Sequence, residues 1–172
     1  NVMKNELKLE ILKRILVTCS GKIFPPSSKS VFILIQKILE KSVFKHTLHS
    51  CIIEKKHNQI IFYREFKLMK ENCLNKIIAP GENILWDTRF RIFTKTRLNC
   101  EMIDNKIWLD LKNEYKTLKD QLKMKYEVLK TIPLLKIKNK KIIPFMKSKQ
   151  ELSKYGVDLF FEPRIPLSKN NF

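Results

Sequence analysis

Residues 47–66 read TLHSCIIEKKHNQIIFYREF and carry two β-rich segments around a short polar link. Segments 47–54 and 59–66 are rich in β-branched and aromatic residues, which favour strands. The four residues between them, Lys-Lys-His-Asn, are typical of a hairpin connection. Because the hydrophobic spacing here is close to two residues, the stretch predicts an antiparallel β-hairpin.

Upstream of this hairpin the apolar spacing is helical. Residues 5–19 place apolar side chains three or four positions apart, and Gly21 follows them as a helix-ending residue. A proline pair then requires extended backbone, and Ser28 is the expected N-cap of a second amphipathic helix. The sequence therefore predicts a helical hairpin over residues 1–43.

Downstream, short strands continue to about residue 98. Residues 75–79 predict a strand, and residues 84–87 and 90–93 predict a second hairpin around Thr88-Arg89. Glycine and proline before that hairpin mark a turn, as expected where the chain needs a positive φ. This pattern predicts an antiparallel unit over residues 44–98.

The last third of the chain returns to helical spacing and then to strands. Apolar residues within 105–130 keep helical spacing, residues 134–137 and 142–146 flank a Lys-Asn-Lys-Lys turn, and residues 159–167 form a final extended segment. We therefore expect an α+β fold with an N-terminal helical hairpin (1–43), a small antiparallel β unit (44–98) and a C-terminal small α+β unit (99–172).

The chain is strongly basic. Lys and Arg number 35 against 17 acidic residues, a net charge of +18, and half of this excess lies in residues 105–150. Such a balance favours polyanionic partners, above all nucleic acid. Codon bias is the alternative, because 29 lysines, 6 arginines and one alanine are what an AT-rich genome writes by default.

Several functional classes find no support in the sequence. The three glycines, Gly21, Gly81 and Gly156, are isolated, so no glycine-rich phosphate loop is present. No apolar run reaches the roughly 18 residues of a membrane-spanning helix, and we expect a cytoplasmic protein. The four cysteines are 22 to 32 residues apart, which fits neither a metal knuckle nor a disulfide framework.

Two residue groups could still carry chemistry. His46, His49 and Cys51 form an HxxHxC cluster, but alternation along a strand separates His46 from the other two, so we expect no metal site. Arg89 and Arg91 lie beside aromatic residues at the second hairpin, a mixture that nucleic-acid surfaces use. Asp87 offers Arg89 a purely structural role instead, and the sequence leaves both alternatives open.

Several strings match one known enzyme family in order. They are KIFPP (22–26), TLHSCII (47–53), IFYRE (61–65), PGENILWDTRFRI (80–92), TIPLL (131–135) and KIIPF (141–145). Together they resemble the C-terminal half of tRNA(Ile)-lysidine synthetase of the α-proteobacterial type. His49-Ser50 and Thr88 stand where that family has glycines, in TLGGC and LWDGRF.

The resemblance implies a ligase reaction for the whole protein. Members of the family use ATP, with magnesium, to adenylate C2 of cytidine 34 in the CAU anticodon of tRNA(Ile). Free lysine then attacks, and the lysidine formed changes codon reading from AUG to AUA. The family's SGGxDS-type ATP loop does not occur in this sequence, and the chain starts at Asn1. We therefore expect a fragment of a longer enzyme, with no catalytic residue, cofactor or metal site of its own.

The resemblance also implies that this part of the enzyme recognises tRNA(Ile). Residues 1–43 would end a helical linker domain, residues 44–98 would form a substrate-recognition unit, and residues 99–172 would bind tRNA. The basic residues that we expect to contact phosphates are Lys22, Lys45, Arg64, Arg89 and Arg91 near the first sheets, and Lys136, Lys138, Lys140 and Lys141 in the last hairpin.

Two alternatives to this interpretation stay open. A stand-alone basic RNA-binding or ribosome-associated protein without catalysis would share the charge, the size and the mixed helices and strands. A structural interaction module whose lysines reflect codon bias is the other. No membrane partner is expected, and the sequence leaves homo-oligomerisation open.

Overall fold

A computed structural model describes residues 2–69, 75–111 and 125–167 of the chain. The chain divides into two compact units. The first comprises Asn1–Glu65 with Glu162–Phe172, and the second comprises Phe66–Phe161.

The first unit begins with two helices, α1 (Val2–Ser20) and α2 (Ser28–Glu40). Gly21, with φ of 69°, ends α1 as predicted, and its N–H donates to the Val17 carbonyl at 3.0 Å. The N-cap of α2 is Ser27 and not the predicted Ser28. Ser27 has extended backbone, and its side-chain oxygen accepts the Ser30 N–H at 3.2 Å.

Three antiparallel strands complete this unit in the order β1 (Val43–Leu48), β2 (Cys51–Lys56) and β3 (Gln59–Arg64). The predicted strand over 47–54 is wrong, because a turn at His49-Ser50 divides it. Both turn residues have positive φ, 54° and 59°, the conformation of a two-residue hairpin turn. The family motif TLGGC has glycines at these two positions, whereas His-Ser gives no turn signal of its own.

The core of the first unit joins its helices to its sheet. Fully buried apolar side chains from α1 and α2 pack on those of β2. They are Leu16, Val31, Leu34, Cys51 and Ile53.

The second unit contains two antiparallel sheets. Its strands are β4 (Lys76–Ile78), β5 (Asn83–Trp86), β6 (Phe90–Thr94), β7 (Leu98–Met102), β8 (Pro133–Ile137), β9 (Lys140–Ile142) and β10 (Val157–Phe161). One sheet has the order β10-β6-β5 and the other the order β4-β7-β8-β9. The short helices are α3 (Asn105–Leu111), α4 (Tyr126–Leu129) and α5 (Lys149–Lys154), with 3₁₀ turns at Phe66–Leu68 and Pro144–Met146.

The α+β class is confirmed, with helices and antiparallel sheets in both units. The division between the units, however, falls after Glu65, inside the range 44–98 predicted as one unit. The cause is strand pairing: β4 pairs with β7, and β6 pairs with the distant β10, while β1–β3 pair only with one another.

Three segments of the second unit differ from the sequence prediction. The helix predicted over 105–130 is helical at its described ends, α3 and α4, and residues 112–124 lie outside the described residues. The strand predicted over 142–146 is wrong: β9 ends at Ile142, and Pro144, which lacks an N–H, opens a 3₁₀ turn. The extended segment predicted over 159–167 begins inside β10, which runs from Val157 to Phe161, and residues 164–165 form a bend.

Trp86 is fully buried in the core of the second unit. Leu98, Leu134 and Leu135 from the four-stranded sheet and Ile92 from the three-stranded sheet belong to the same core cluster. This packing fixes β8 and β9, which carry the densest basic sequence. None of the helices in the described part of the chain is both long and apolar enough to span a membrane.

Candidate nucleic-acid interface

The basic hairpin, defined as β8, β9 and the turn between them, presents lysines at one edge of the four-stranded sheet. Leu135, Ile137 and Ile142 are buried in the core, which anchors both strands. Lys138 and Asn139 form the turn, and Lys138 has a φ of 53°. Because strand side chains alternate between the two faces, burial of this apolar set places Lys136 and Lys141 on the opposite face, whereas Lys138 and Lys140 lie at the exposed end of the hairpin.

Two lysines of the basic hairpin are held by carboxylates. Lys136 Nζ lies 2.6 Å from Glu101 Oε2, and Glu101 is buried. Lys141 Nζ lies 3.0 Å from Asp110 Oδ2 in an exposed pair. Each carboxylate positions its lysine and offsets its charge. The exposed Lys141–Asp110 pair is weak and salt-sensitive, whereas Glu101 in the other pair is buried.

The other two lysines form the charged tip of the hairpin. Lys138 and Lys140 are exposed, and neither has an acidic partner among the residues that the structure describes. Lys140 Nζ lies 5.7 Å from the centroid of the Tyr155 ring. The tip therefore offers two exposed cations to an anionic partner, as contact with a phosphate backbone requires.

Two grooves flank the basic hairpin. The tip groove, of about 550 Å³, is lined by Asp110, Asn139, Lys140, Lys141, Lys147 and Tyr155, among others. The face groove, of about 340 Å³, is lined by Ile77, Arg97, Leu98, Asn99, Lys136 and Lys138. All four lysines predicted for the last hairpin lie in one groove or the other. Lys147, Tyr155 and Arg97 are additions that were absent from the predicted site.

The sequence signals that could have identified these additional residues differ. Lys147 and Tyr155 flank α5, whose start carries a Ser148-x-x-Glu151 capping box that is readable from sequence. Arg97 precedes β7, whose apolar residues alternate with polar ones, the sequence signal of a strand.

Arg89 has an internal role. Its Nη2 lies 2.6 Å from Asp87 Oδ2, its Nε donates to the same oxygen at 2.8 Å, and Nη2 also donates to the Thr131 carbonyl at 2.7 Å. Both members of the pair are about 5% exposed. The prediction that Arg89 contacts phosphate is therefore corrected. Arg89 has the structural role instead, as part of a buried ion pair that ties the β5–β6 turn to residue 131.

Arg64 is corrected in the same way. It is 5% exposed, and its Nη1 donates to the Ser50 carbonyl at 3.3 Å. This bond ties the end of β3 to the turn at His49-Ser50. A side chain held inside the unit in this manner does not present its guanidinium to a phosphate.

The remaining predicted residues are at the surface. Lys22 is exposed in the connection between α1 and α2. Lys45 is exposed and lies 3.1 Å from Glu54 Oε1, and Arg91 Nη1 donates to Asn83 Oδ1 at 2.9 Å. Contact of Lys22, Lys45 and Arg91 with tRNA stays a prediction, as it does for the basic hairpin.

Two histidines of the first unit have cationic neighbours. Burial, followed by the charge of Lys37, lowers the pKa of His46, whose Nδ1 lies 3.3 Å from Lys37 Nζ. Burial, followed by the charge of Lys22, lowers the pKa of His49, with a smaller contribution from Arg64, while a hydrogen bond to the Phe24 backbone opposes the shift. Within the described ranges, no three His, Cys, Asp or Glu side chains form a group that could hold a metal ion.

Comparison with known proteins gives one consistent name. No protein-family model matches the chain, and no solved structure matches it. The tRNA(Ile)-lysidine synthase of Rickettsia akari (strain Hartford) is 34% identical over 119 residues, which are 69% of this chain and 26% of that protein. The protein of the same name from Rickettsia felis is 32% identical over 120 residues, and that from Rickettsia rickettsii (strain Sheila Smith) is 35% identical over 120 residues.

These matches confirm the resemblance drawn from the sequence motifs. Each covers 69% of this chain and 23% to 26% of the relative. The chain therefore spans about a quarter of the length of the curated relatives that it matches.

Proposed function

We propose that this chain is the C-terminal, tRNA-recognising portion of a tRNA(Ile)-lysidine synthase. The observation that carries the proposal is the similarity over 119 residues to proteins of that name, which agrees with six motifs in the family's order. The net charge of +18 supports it independently, because tRNA is a polyanion.

Within this proposal the basic hairpin contributes much of the electrostatic contact with tRNA. Lys138 and Lys140 at its tip have no acidic partner among the described residues, and Lys141 can exchange the exposed carboxylate of Asp110 for a phosphate. Lys136 is held by the buried carboxylate of Glu101. Contacts of this kind orient a nucleic acid and raise its affinity without reading its sequence. Selection of one tRNA therefore falls to base contacts or to other parts of the whole enzyme.

ATP chemistry does not fit the described residues of this chain. Gly21 ends α1, Gly81 lies in a turn with φ of 85°, and Gly156 closes α5 against Lys95. Each glycine therefore serves a separate turn, and none contributes to a loop whose successive N–H groups surround a phosphate. We assign ATP binding, magnesium and attack by lysine to the rest of the enzyme and derive no step through them here.

The proposed reaction is tested with the protein encoded by the complete reading frame that contains this chain. The purified protein is incubated with ATP, radiolabelled lysine and a tRNA(Ile) transcript carrying the CAU anticodon. We expect lysine to enter the tRNA in an ATP-dependent manner. The matched control is the same transcript with a GAU anticodon, which lacks cytidine 34 and should remain unlabelled.

The assay also distinguishes the proposed ligase from the principal alternative, a basic RNA-binding protein without catalysis. A protein that binds tRNA tightly but incorporates no lysine would be a basic RNA-binding protein without this ligase activity. Equal incorporation into the CAU and GAU transcripts would contradict modification of the anticodon cytidine.

A further inference from the structure

The tip groove combines three lysines with one aromatic ring. Lys140 and Lys141 come from β9, Lys147 follows the 3₁₀ turn, and Tyr155 caps the end of α5. One carboxylate, Asp110, lines the same groove and is paired with Lys141 at 3.0 Å. Lys147 is paired with Glu151 at 3.4 Å. The groove keeps a positive balance even when both ion pairs are intact, because Lys140 has no acidic partner among the described residues.

Tyr155 is the residue of the tip groove that binding by charge alone would not require. It is half-buried and packs against the core of the second unit, so the ring is held by the fold. Its carbonyl accepts a hydrogen bond from Thr96 Oγ1 at 3.1 Å, which fixes its backbone as well. Above the ring lies the Lys140 ammonium, at 5.7 Å from the centroid. An exposed lysine at this distance is held weakly, and the ring face can accept another flat group in its place.

The dimensions of the groove suit one nucleotide. Its volume of about 550 Å³ lies inside the range of pockets that hold small ligands, roughly 300 to 1,000 Å³. Bases in a duplex are stacked on one another, so their faces are not available to a protein side chain. An unpaired base exposes its face and can stack on an aromatic ring, while nearby lysines bind its phosphate.

From this geometry we propose that the tip groove binds one unpaired nucleotide of RNA, with its base stacked on Tyr155 and its phosphate held by Lys140, Lys141 and Lys147. The inference rests on the proposed function, because it supposes that the chain binds RNA. It adds a specific element to that function: an end or a bulge with an unpaired nucleotide is bound in preference to a continuous stem.

The test compares two RNA duplexes of the same sequence, each annealed from two strands so that no loop is present, one blunt and one with a four-nucleotide single-stranded 3′ tail. Affinities of the 172-residue chain for both are measured by fluorescence anisotropy at one salt concentration. The tailed RNA should bind about 5- to 150-fold more tightly, the range expected for stacking one base on an aromatic side chain. Tyr155→Leu should abolish this preference, and Tyr155→Phe should keep it because the ring remains.

Phe160 provides the matched control. It is an exposed aromatic residue of the same unit, with Lys149 Nζ 5.8 Å from its ring centroid, and it does not line the tip groove. Phe160→Leu therefore removes a similar lysine–aromatic pair elsewhere and should leave the preference for the tailed RNA unchanged. Equal loss of preference in Phe160→Leu and Tyr155→Leu would overturn the assignment of the groove.

The outcomes distinguish this inference from the proposed function. If the unsubstituted chain binds the blunt and tailed duplexes equally, the inference is overturned and RNA binding stands. If it binds neither at low salt, both fail. Should Tyr155→Leu not fold, a 5-bromouridine in the tail should photocrosslink to the peptide containing Tyr155 in the unsubstituted chain. A crosslink only to peptides outside the groove would overturn the inference.

Discussion

Replacing Arg89 by alanine should destabilise the second unit without weakening RNA binding by the molecules that remain folded. Arg89 makes three polar contacts of 2.6 to 2.8 Å with Asp87 and the Thr131 carbonyl, and both charged side chains are almost completely buried. Removing one partner of a buried ion pair costs about 3–5 kcal/mol, because the remaining charge loses its compensation. We expect a loss of that order in the free energy of unfolding.

Two companion variants separate the ion pair from the side chain's packing. Arg89→Lys keeps the charge but cannot reproduce the planar fork, so its loss should lie between those of the parent and Arg89→Ala. The double variant Asp87→Ala/Arg89→Ala should be less destabilised than the sum of the two single variants, since no buried charge is left alone. Urea unfolding, followed by tryptophan fluorescence, measures all five proteins: the parent, Arg89→Ala, Asp87→Ala, Arg89→Lys and the double variant.

RNA affinity decides between the two roles of Arg89. Measured per folded molecule, the affinity of Arg89→Ala and of Arg89→Lys for tRNA should stay within about twofold of the parent. Unchanged stability together with a tenfold loss of affinity would refute the buried role and return Arg89 to the phosphate-contacting set.

Three further predictions follow from the turns, the histidines and the basic hairpin. Thr88 has φ of 57°, a strained value for a β-branched residue, so Thr88→Gly should raise the free energy of unfolding by about 1 kcal/mol in urea titrations; no gain would contradict the strain. Folding lowers the pKa of His46 and of His49 below the value of about 6.5 that a histidine has in the unfolded chain. Near and below about pH 6.5 the unfolded chain therefore binds more protons than the folded chain. The stability that the neutral histidines contribute should therefore be present above about pH 6.5 and be lost as the pH falls below it, and His49→Asn should flatten this slope. Lys140→Ala/Lys141→Ala should weaken binding of all tRNAs about equally and reduce the salt slope by about 2, whereas tRNA-selective loss would point to base contacts.

The helical hairpin and most strands of the fold were predictable because their signals are local. Helical spacing, a proline pair and Gly21 give α1 and α2, and alternating apolar residues give most of the strands. The helix α5 was also within reach, since Ser148 and Glu151 carry a capping box, although the surrounding polar residues resemble a loop. Strand β7 was readable as well, since Leu98, Cys100 and Met102 alternate with the polar residues Asn99 and Glu101.

The buried arginines could not be assigned from the sequence because a partner lies far along the chain. Arg89 bonds to the carbonyl of Thr131, 42 residues away, and only the folded unit brings them together. Tyr155 likewise meets Lys140 through the fold and not through sequence spacing. In contrast, the lysines of the basic hairpin were predictable, because a short turn between two strands places them at the surface.

Two turns with positive φ show a third limit of prediction from the sequence. His49-Ser50 and Asp87-Thr88 have positive φ at both positions, yet only the first residue of the second pair is a usual turn residue. The second turn therefore lies one residue earlier than the predicted Thr88-Arg89. The related family motifs have glycines at positions 49, 50 and 88, where the folded chain requires left-handed backbone.

The most direct test of the account is the salt dependence of tRNA binding by the 172-residue chain. Affinity for tRNA(Ile) is measured by filter binding between 50 and 200 mM salt. A footprint of about 6–10 phosphates predicts tight binding at low salt and a loss of roughly 10³- to 10⁵-fold across this range. Absence of measurable affinity at 50 mM salt would contradict the account, because the charge of +18 would then reflect sequence composition and not a tRNA-binding surface.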